Sequence, residues 1–183
     1  MKLNLITKNK HKFNEIKSVA KEFNIGIMQV EEDKIEPKDK QIEEIARFNA
    51  EYYFNKLKQP VIVDDTGIFF EEYQNFPGAN AKLMYYALGY KGLLKLLEGS
   101  NRNAYFMTVV GYCDRDNIKT FRGITHGIIA DKVYCKKKDV LPYERIFLIN
   151  NRPLCHMTRA AKNNISHRAL AFRKLFEWLK IRE

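Results

Sequence analysis

The sequence predicts an α/β protein built on a central mixed β-sheet, and three observations support this. Short apolar segments alternate along the chain with segments whose apolar residues recur at helical spacing. Residues 104–113 and 119–130 are rich in β-branched and aromatic residues and flank a turn at 114–117, which is typical of an antiparallel pair. No repeat or linker-like tract divides the 183 residues, so we expect one domain spanning 1–183.

The first elements follow one another closely in the sequence. Alternation over residues 2–6 predicts a strand, and the apolar stripe across 13–23 predicts a helix directly after it. Residues 26–30 suit a second strand, and the charged, proline-containing segment 31–41 suits a loop. The stripe across 42–57 predicts a second helix that ends before a Gln-Pro pair.

The rest of the chain continues the same alternation. Val61–Val63 is short and apolar and reads as a buried third strand. Residues 79–97 are mostly helical with a break at Gly89, and residues 132–145 are irregular. Ser166 is suited to cap the start of a final helix that carries an apolar stripe to the C-terminal end.

Composition limits the class of protein. No apolar run is long enough to cross a membrane, and the first residues lack the apolar segment of a signal peptide, so we expect a cytoplasmic protein without membrane partners. The three cysteines, Cys113, Cys135 and Cys155, are odd in number and widely spaced. This argues against a disulfide framework and against a zinc site, and favours a reduced compartment.

The net charge of +10 leaves three interpretations open. A basic surface attracts nucleic acid, attracts a polyanionic small molecule such as a nucleoside triphosphate, or is only a solvated lysine-rich face. The densest basic run, Lys136–Lys138, is short and lacks interleaved aromatic residues, so we interpret it as a loop.

A polar turn joins the first predicted strand to the first predicted helix. It contains Thr7, Asn9 and Lys12 at the carboxyl end of the strand, where open α/β sheets bind ligands. Backbone N–H groups at a helix start would suit a phosphate there. An ordinary helix cap explains the same residues equally well.

Two adjacent acids, Asp64 and Asp65, follow the third predicted strand and sit at its carboxyl edge. Because neighbouring strand residues point to opposite faces, we expect one carboxylate to face a cleft and the other to brace the fold. Mg²⁺ would relieve the repulsion between them and often accompanies substrate phosphates. A simple Asp-Asp-Thr-Gly turn is the alternative.

A third stretch, Lys162 to Arg168, brings together a lysine, a histidine and an arginine near a helix start. Arg168 is suited to grip phosphate through two parallel N–H bonds, Lys162 acts as a compact charge, and the helix dipole adds to both. His167 is suited to bind a phosphate or a base edge.

Three motifs in this order resemble those of the inosine triphosphate pyrophosphatase family, over essentially the whole chain. The family's T/S-x-N-x-x-K-x-x-E reads here as Thr7, Asn9, Lys12 and Glu15. Its D/E-D-S/T-G-L and x-G-x-P-G read as Asp64 to Ile68 and Phe76 to Gly78, and its K-N-x-x-S-H-R is matched in full by Lys162 to Arg168.

The resemblance implies a long curved mixed β-sheet with flanking helices, two lobes around a central cleft, and a homodimer. It implies hydrolysis of deaminated purine nucleoside triphosphates to the monophosphate and pyrophosphate with Mg²⁺. Asp65 matches the catalytic acid, Lys12 would neutralise the leaving group, and Glu36 with Asp65 would bind the metal. The residues expected to bind substrate are Thr7, Asn9, Lys12, Thr66, Lys82, Tyr143, Glu144, Lys162, His167 and Arg168.

One family motif is altered. The base-recognition pattern F-G-Y/W-D-P-x-F aligns with Leu141 to Phe147, where Leu141 replaces the stacking ring and Glu144 replaces the aspartate. Loss of a stacking ring costs on the order of 1 kcal/mol or more. Downstream, His156 stands where the family has a glutamate.

Three hypotheses follow from this alteration. The first is a pyrophosphatase for inosine or xanthosine triphosphates with weaker base selectivity. The second is a pyrophosphatase retuned to another base, and the third is a non-catalytic relative that binds nucleotides or nucleic acid. The retained motifs favour an enzyme, and nucleic acid is not the partner we expect.

Overall fold

In the computed structural model, residues 1–35, 40–74 and 76–182 are described, and they form eight strands and five α-helices. The mixed α/β class is confirmed. In chain order the elements are β1 (Lys2–Ile6), α1 (Lys10–Lys21), β2 (Gly26–Val30), α2 (Ile42–Leu57), β3 (Val61–Phe70), β4 (Pro77–Gly78), α3 (Ala81–Leu96), β5 (Asn103–Cys113), β6 (Ile118–Ile129), β7 (Phe147–Ile149), β8 (Arg152–Pro153), α4 (Arg159–Ile165) and α5 (His167–Lys180).

All of the strands belong to one mixed sheet in the order β2-β1-β3-β5-β6-β7-β8, with β4 paired to β3. β1 lies parallel to β2 and β3, and the remaining pairs are antiparallel. The sheet therefore changes from parallel to antiparallel at β3. An open α/β sheet leaves room for a ligand beside the carboxyl ends of its parallel strands.

Helices cover both faces of the sheet around β3. Helices α1 and α5 pack on one face, where Ile62 of β3 meets Phe172 and Leu175 of α5. Helix α2 packs on the other face, against Val61 and Val63. The alternation of side chains along β3 therefore sends its even-numbered residues here toward α1 and α5 and its odd-numbered residues toward α2.

The third strand is longer than the sequence predicted. Instead of ending at Val63, β3 continues to Phe70, because β5 pairs with it along its whole length. Pairing with β1 stops at Ile62. Asp64 and Asp65 therefore lie inside a strand rather than at its end, immediately past the point where the parallel neighbour stops.

Other predicted features are confirmed. Gly89 has φ +59° and ψ −177°, which breaks α3 where the sequence indicated. Ser166 caps α5 by accepting a hydrogen bond from the Ala169 amide at 3.0 Å. The short helix α4 was not predicted, and Lys162 lies on it rather than at the start of the final helix.

The prediction that the cysteines form no disulfide is wrong. Cys135 and Cys155 are bonded, with their Cα atoms 6.2 Å apart, while Cys113 is free and buried. A separation of 20 residues conceals this proximity in the sequence. The left-handed turn at Cys135 (φ 50°) and the antiparallel return of β8 along β7 bring the two cysteines together.

No α-helix of the described residues is both long and apolar enough to span a membrane. The division of the chain into two lobes stays a prediction.

At Gly123 on β6 the backbone of α5 lies very close to the sheet. An ideal Cβ at this position would lie 2.1 Å from the His167 carbonyl oxygen and 2.5 Å from the Ala171 amide nitrogen. Both are backbone atoms of α5 and cannot rotate away. The absence of a side chain at Gly123 therefore allows α5, which carries His167 and Arg168, to pack this close to the sheet.

We expect Gly123→Ala to lower the free energy of unfolding by about 1–3 kcal/mol, because the helix must move outward. Chemical denaturation measures this value. Gly26→Ala is the matched control, since the nearest atom to its new Cβ would be in the flexible Lys2 side chain at 3.3 Å, and the Met1 carbonyl oxygen would lie at an ordinary contact distance of 3.5 Å. Equal losses in the two variants would contradict this account of the packing.

Candidate functional site

A cavity of about 520 Å³ lies beside the point where the sheet changes from parallel to antiparallel. Its wall comes from the β1–α1 turn, the middle of β3, the start of α3, residues 141–144, α4 and the start of α5. The sequence-predicted residues that line it are Thr7, Asn9, Lys12, Asp65, Thr66, Lys82, Tyr143, Glu144, Lys162, His167 and Arg168. The remaining candidate, Glu36, lies outside the described residues.

Asp64 precedes the lining residue Asp65 on β3 and is itself fully buried, behind the cavity wall rather than on it. One carboxylate oxygen, Oδ2, accepts from Lys12 Nζ at 2.9 Å and from Arg168 Nε at 3.2 Å. Arg168 also donates from Nη1 to Glu15 Oε2 at 2.5 Å. Two cations of the cavity wall that are distant in the sequence are thus held by carboxylates.

The charges of this cluster stabilise one another. Burial alone would raise the pKa of Asp64, but the positive charges of Lys12 and Arg168 hold that pKa far below its ordinary value. Burial lowers the pKa of Lys12 to about 8, against the attraction of Asp64. Burial also disfavours the charge of Arg168, but Glu15 and Asp64 raise its pKa, so it stays cationic.

Asp65 has a different environment from its neighbour, as the alternation along β3 predicts. It lines the cavity and remains 14% exposed. Its Oδ1 accepts from Lys34 Nζ at 2.7 Å, and the same ammonium donates to the Asp64 carbonyl oxygen at 2.8 Å. Asp65 is therefore the member of the pair whose carboxylate lies at the cavity surface.

His167 is positioned by contacts on two sides. Its Nδ1 lies 2.6 Å from the Thr108 hydroxyl oxygen, which in turn lies 2.8 Å from the Thr66 hydroxyl oxygen. Its ring stacks on Phe106 at 4.7 Å between centroids and 14° between planes. Burial, with the charges of Arg168 and Lys12, lowers the pKa of His167 well below its ordinary value, so the ring is neutral.

Two helix starts face the cavity, and both are capped by their own side chains. Asn9 Oδ1 accepts from the backbone amides of His11 and Lys12, at 3.0 and 3.1 Å. The Ser166 hydroxyl donates to Glu15 Oε1 at 2.5 Å while it caps α5. Glu15 therefore joins the start of α5 to α1, and the capping role that the sequence allowed for Asn9 is present.

The far end of the cavity is formed by residues 141–144, here called the 141–144 wall. Glu144 on this wall accepts from Lys162 Nζ at 2.8 Å. The buried Tyr143 donates its hydroxyl to the Ala81 carbonyl oxygen at 2.8 Å, which ties the wall to α3. Tyr85 and Tyr86 of α3 line the same cavity, so aromatic rings are present there although Leu141 replaces one.

Several site residues were not singled out as candidates by the sequence. Glu15 belongs to the opening motif, so a signal for it existed. Lys34 comes from a charged loop that carries no pattern, and only the fold places it against Asp65. Thr108 is one of many strand threonines, and its role depends on the register of β3 with β5, where it lies opposite Thr66.

Carboxylates line the cavity, and each of them is ion-paired with a lysine or arginine. Glu15, Glu32, Asp33 and Asp65 supply carboxylates to its wall. Asp64 Oδ1 is buried and has no hydrogen-bond partner among the described residues. Carboxylate oxygens are the protein ligands that Mg²⁺ usually takes beside substrate phosphates.

The comparisons with known proteins agree with one another. A model of the Ham1 family matches residues 3–178. A protein of Saccharolobus solfataricus named dITP/XTP pyrophosphatase is 39% identical, over 98% of this chain and 94% of the relative. A protein of the same name from Methanosarcina mazei is 36% identical, over 97% of this chain and 96% of the relative. A solved HAM1 protein structure from Coxiella burnetii shares the fold, with a TM-score of 0.81 at 22% identity over 98% of both chains.

Removing the Asp64 charge should destabilise the fold. We expect Asp64→Asn to lower the free energy of unfolding by about 3–5 kcal/mol, because Lys12 and Arg168 would lose their shared counter-charge in a buried site. Chemical denaturation at neutral pH measures the loss. Asp65→Asn is the matched control on the adjacent residue, and we expect a much smaller loss because its carboxylate reaches solvent. Equal losses would contradict the distinction between the two acids.

The same carboxylate should make stability depend on acid. Its pKa is lower in the folded chain than the ordinary 3.8. The stability that it contributes is therefore present above the ordinary pKa and is lost as pH falls below it toward the folded pKa. We expect the difference in unfolding free energy between wild type and Asp64→Asn to shrink between about pH 5 and pH 2. If the unfolding free energies of wild type and Asp64→Asn differed by the same amount at every pH, the acid dependence would not come from Asp64.

Proposed function

This chain belongs to the Ham1 family, and we propose that it hydrolyses deaminated purine nucleoside triphosphates to the monophosphate and pyrophosphate. The observation that carries the proposal is a cavity lined by the Asp65 carboxylate and by two cations, Lys12 and Arg168, whose charges are balanced by the carboxylates of Asp64 and Glu15. Relatives of nearly the same length, at 39% and 36% identity, are named dITP/XTP pyrophosphatases. The retained motifs supply the residues that such a reaction requires.

Lys12 and Arg168 are the residues we assign to the triphosphate. Their charges are oriented by Asp64 and Glu15, so they need no reorganisation when a phosphate arrives. Lys12 remains 15% exposed at the cavity and lies at the start of α1, where the helix dipole favours an anion. Lys82 and Lys162 add positive charge elsewhere on the wall.

Asp65 is the residue we assign to the attacking water. It accepts a proton as the water oxygen bonds to phosphorus, while the bond to the leaving pyrophosphate oxygen breaks. Lys12 offsets the charge that develops on the leaving group. Mg²⁺, when bound by Asp65 and neighbouring carboxylates, would supply further charge neutralisation and orient the phosphates.

The 141–144 wall, with His167, is the part of the cavity we assign to the base. The Glu144–Lys162 ion pair offers both an acceptor and donors to a base edge. Leu141 and Glu144 differ from the family pattern, which favours a pyrophosphatase with altered base preference as the second candidate.

We further infer a homodimer that uses Mg²⁺ in the cytoplasm, where nucleoside triphosphates are made. The exposed apolar residues Leu83, Tyr86 and Leu88 on α3 give the chain a surface suited to a second copy. Sedimentation equilibrium tests this, since a monomer has a mass of 21.6 kDa.

The test of function is pyrophosphate release, with and without Mg²⁺, from inosine, xanthosine, adenosine, guanosine and pyrimidine triphosphates. Release that is fastest from the inosine and xanthosine forms supports the first candidate. Preference for another base supports the second. Binding of these nucleotides with no release from any would overturn the proposal and leave a non-catalytic relative.

We expect Asp65→Asn to abolish hydrolysis while the protein stays folded, because the amide cannot accept the proton of the attacking water. Steady-state release of pyrophosphate and circular dichroism measure the two properties. Asp116→Asn, on the exposed hairpin turn, is the control for loss of one acidic residue. Pyrophosphate release that persists in Asp65→Asn would remove this residue from the reaction.

We expect Leu141→Phe combined with Glu144→Asp to increase preference for inosine triphosphate over ATP. The ring restores a stacking surface worth about 1–3 kcal/mol, and the shorter carboxylate restores the family's pattern. The ratio of kcat/KM values for the two nucleotides measures the preference. An unchanged ratio would show that the 141–144 wall does not select the base.

A further inference from the structure

The Cys135–Cys155 bond closes a loop of the chain that contains the whole 141–144 wall. The two cysteines are 20 residues apart, and Leu141 to Glu144 lie between them. Leu154, next to Cys155, lines the cavity and packs with Tyr143 in the same buried cluster. The disulfide therefore connects both ends of the segment that shapes this part of the cavity.

Besides the disulfide, only noncovalent contacts of the described residues hold the first part of this segment, residues 131–140. Arg145 Nη2 donates to the Lys138 carbonyl oxygen at 2.8 Å, His11 Nε2 lies 3.5 Å from Asp139 Oδ2, and Val133 packs against the cluster that contains Tyr143. Lys138 Nζ donates to the Cys155 carbonyl oxygen at 2.5 Å, and Tyr134 packs edge-on against His156 at 5.7 Å between centroids. The Tyr134 amide also donates to the Arg145 carbonyl oxygen at 2.9 Å. The hydrogen-bonded strand pairs of the sheet do not include these residues. The covalent bond is thus the strongest constraint between residues 131–140 and the turn at Cys155.

The surroundings of the two sulfur atoms suit thiol–disulfide exchange. Cys135 is partly exposed, whereas Cys155 is fully buried, so Cys135 is the sulfur that an outside reagent reaches first. The exposed run Lys136–Lys138 follows Cys135 directly, and neighbouring positive charge favours a thiolate. This gives a role to a basic run that the cavity does not use.

We propose that Cys135 and Cys155 are a reversible redox-modification site, and that their disulfide holds the 141–144 wall in its nucleotide-binding shape. The co-reactant is a small-molecule disulfide, and anionic ones suit the lysine run. The Cys135 thiolate attacks it and releases one small thiolate, and the Cys155 thiolate then displaces the second. Two protein thiols and one small disulfide thus become one protein disulfide and two small thiols.

Reduction should weaken nucleotide binding more than it slows chemistry, because Asp65, Lys12 and Arg168 lie on other elements. If reduction leaves about one-tenth of the chains with the wall in its binding shape, KM rises about tenfold with kcat nearly unchanged. This kinetic effect rests on the proposed function, whereas the redox chemistry itself does not.

The first experiment follows thiols and therefore needs no substrate. The full chain is equilibrated in buffers of oxidised and reduced glutathione and quenched, and its thiols are counted after denaturation. We expect one thiol per chain on the oxidising side, from Cys113, and three on the reducing side. Trypsin should cut after Lys136 to Lys138 faster in the reduced form.

Three thiols in every buffer would overturn the proposal, as would equal tryptic cleavage in the two forms. So would purification with one equivalent of Zn²⁺, since Cys135, Cys155 and His156 offer ligand atoms within 4.8 Å of one another.

The second experiment compares KM for the best substrate in the oxidised and reduced forms. Cys135→Ser should have the higher KM in both buffers, whereas Cys113→Ser, the control, should respond as the wild type does. Equal KM values for oxidised and reduced wild type would overturn the link between the disulfide and the cavity. If no nucleotide is hydrolysed, the proposed function fails, and the thiol count still decides whether the redox site exists.

Discussion

The buried carboxylate of Asp64 is the interaction on which the rest of the site depends. It lies on the central strand β3, at zero exposure, and neutralises Lys12 from α1 and Arg168 from α5. Without it Lys12 would lose its ion-pair partner and Arg168 would keep only Glu15, and an unpaired buried charge is costly. The cations in turn keep the carboxylate ionised. The arrangement holds two positive groups at fixed positions in the wall of a cavity, which is what binding of a polyphosphate requires.

Much of the fold could be predicted because its local signals agree with its tertiary structure. Helical spacing identified α1 and α2, and the β5–β6 hairpin followed from composition and a central turn. The end of β3 was misplaced because polar residues normally mark the end of a strand. Here, pairing with β5 extends the strand through Asp64 and Asp65, and burial of their charges is offset by partners from distant elements.

Site residues that belong to sequence motifs could be predicted. Site residues that are brought together only by strand register and chain topology could not. Lys12, Asp65 and Arg168 came from motifs, and all three line the cavity. Thr108 meets His167 because α5 packs on β5, and it lies opposite Thr66 through the register of β3 with β5. Lys34 contacts Asp65 from a segment far from it in the sequence. The Cys135–Cys155 bond shows the same limitation, since nothing in a 20-residue spacing indicates that β7 and β8 fold the chain back on itself.

The contacts between Glu15 and the start of α5 join positions 151 and 153 residues apart. During synthesis, the 153 residues that separate Glu15 from Arg168 must therefore be made before the two side chains can meet. A nascent chain that already contains β1, β3 and Asp64 still lacks Arg168, one of the two cations that donate to that carboxylate. A chain that stops before α5 lacks the Ser166 and Arg168 contacts to Glu15 and the Arg168 contact to Asp64, so the charged cluster can close only after the start of α5 has been made.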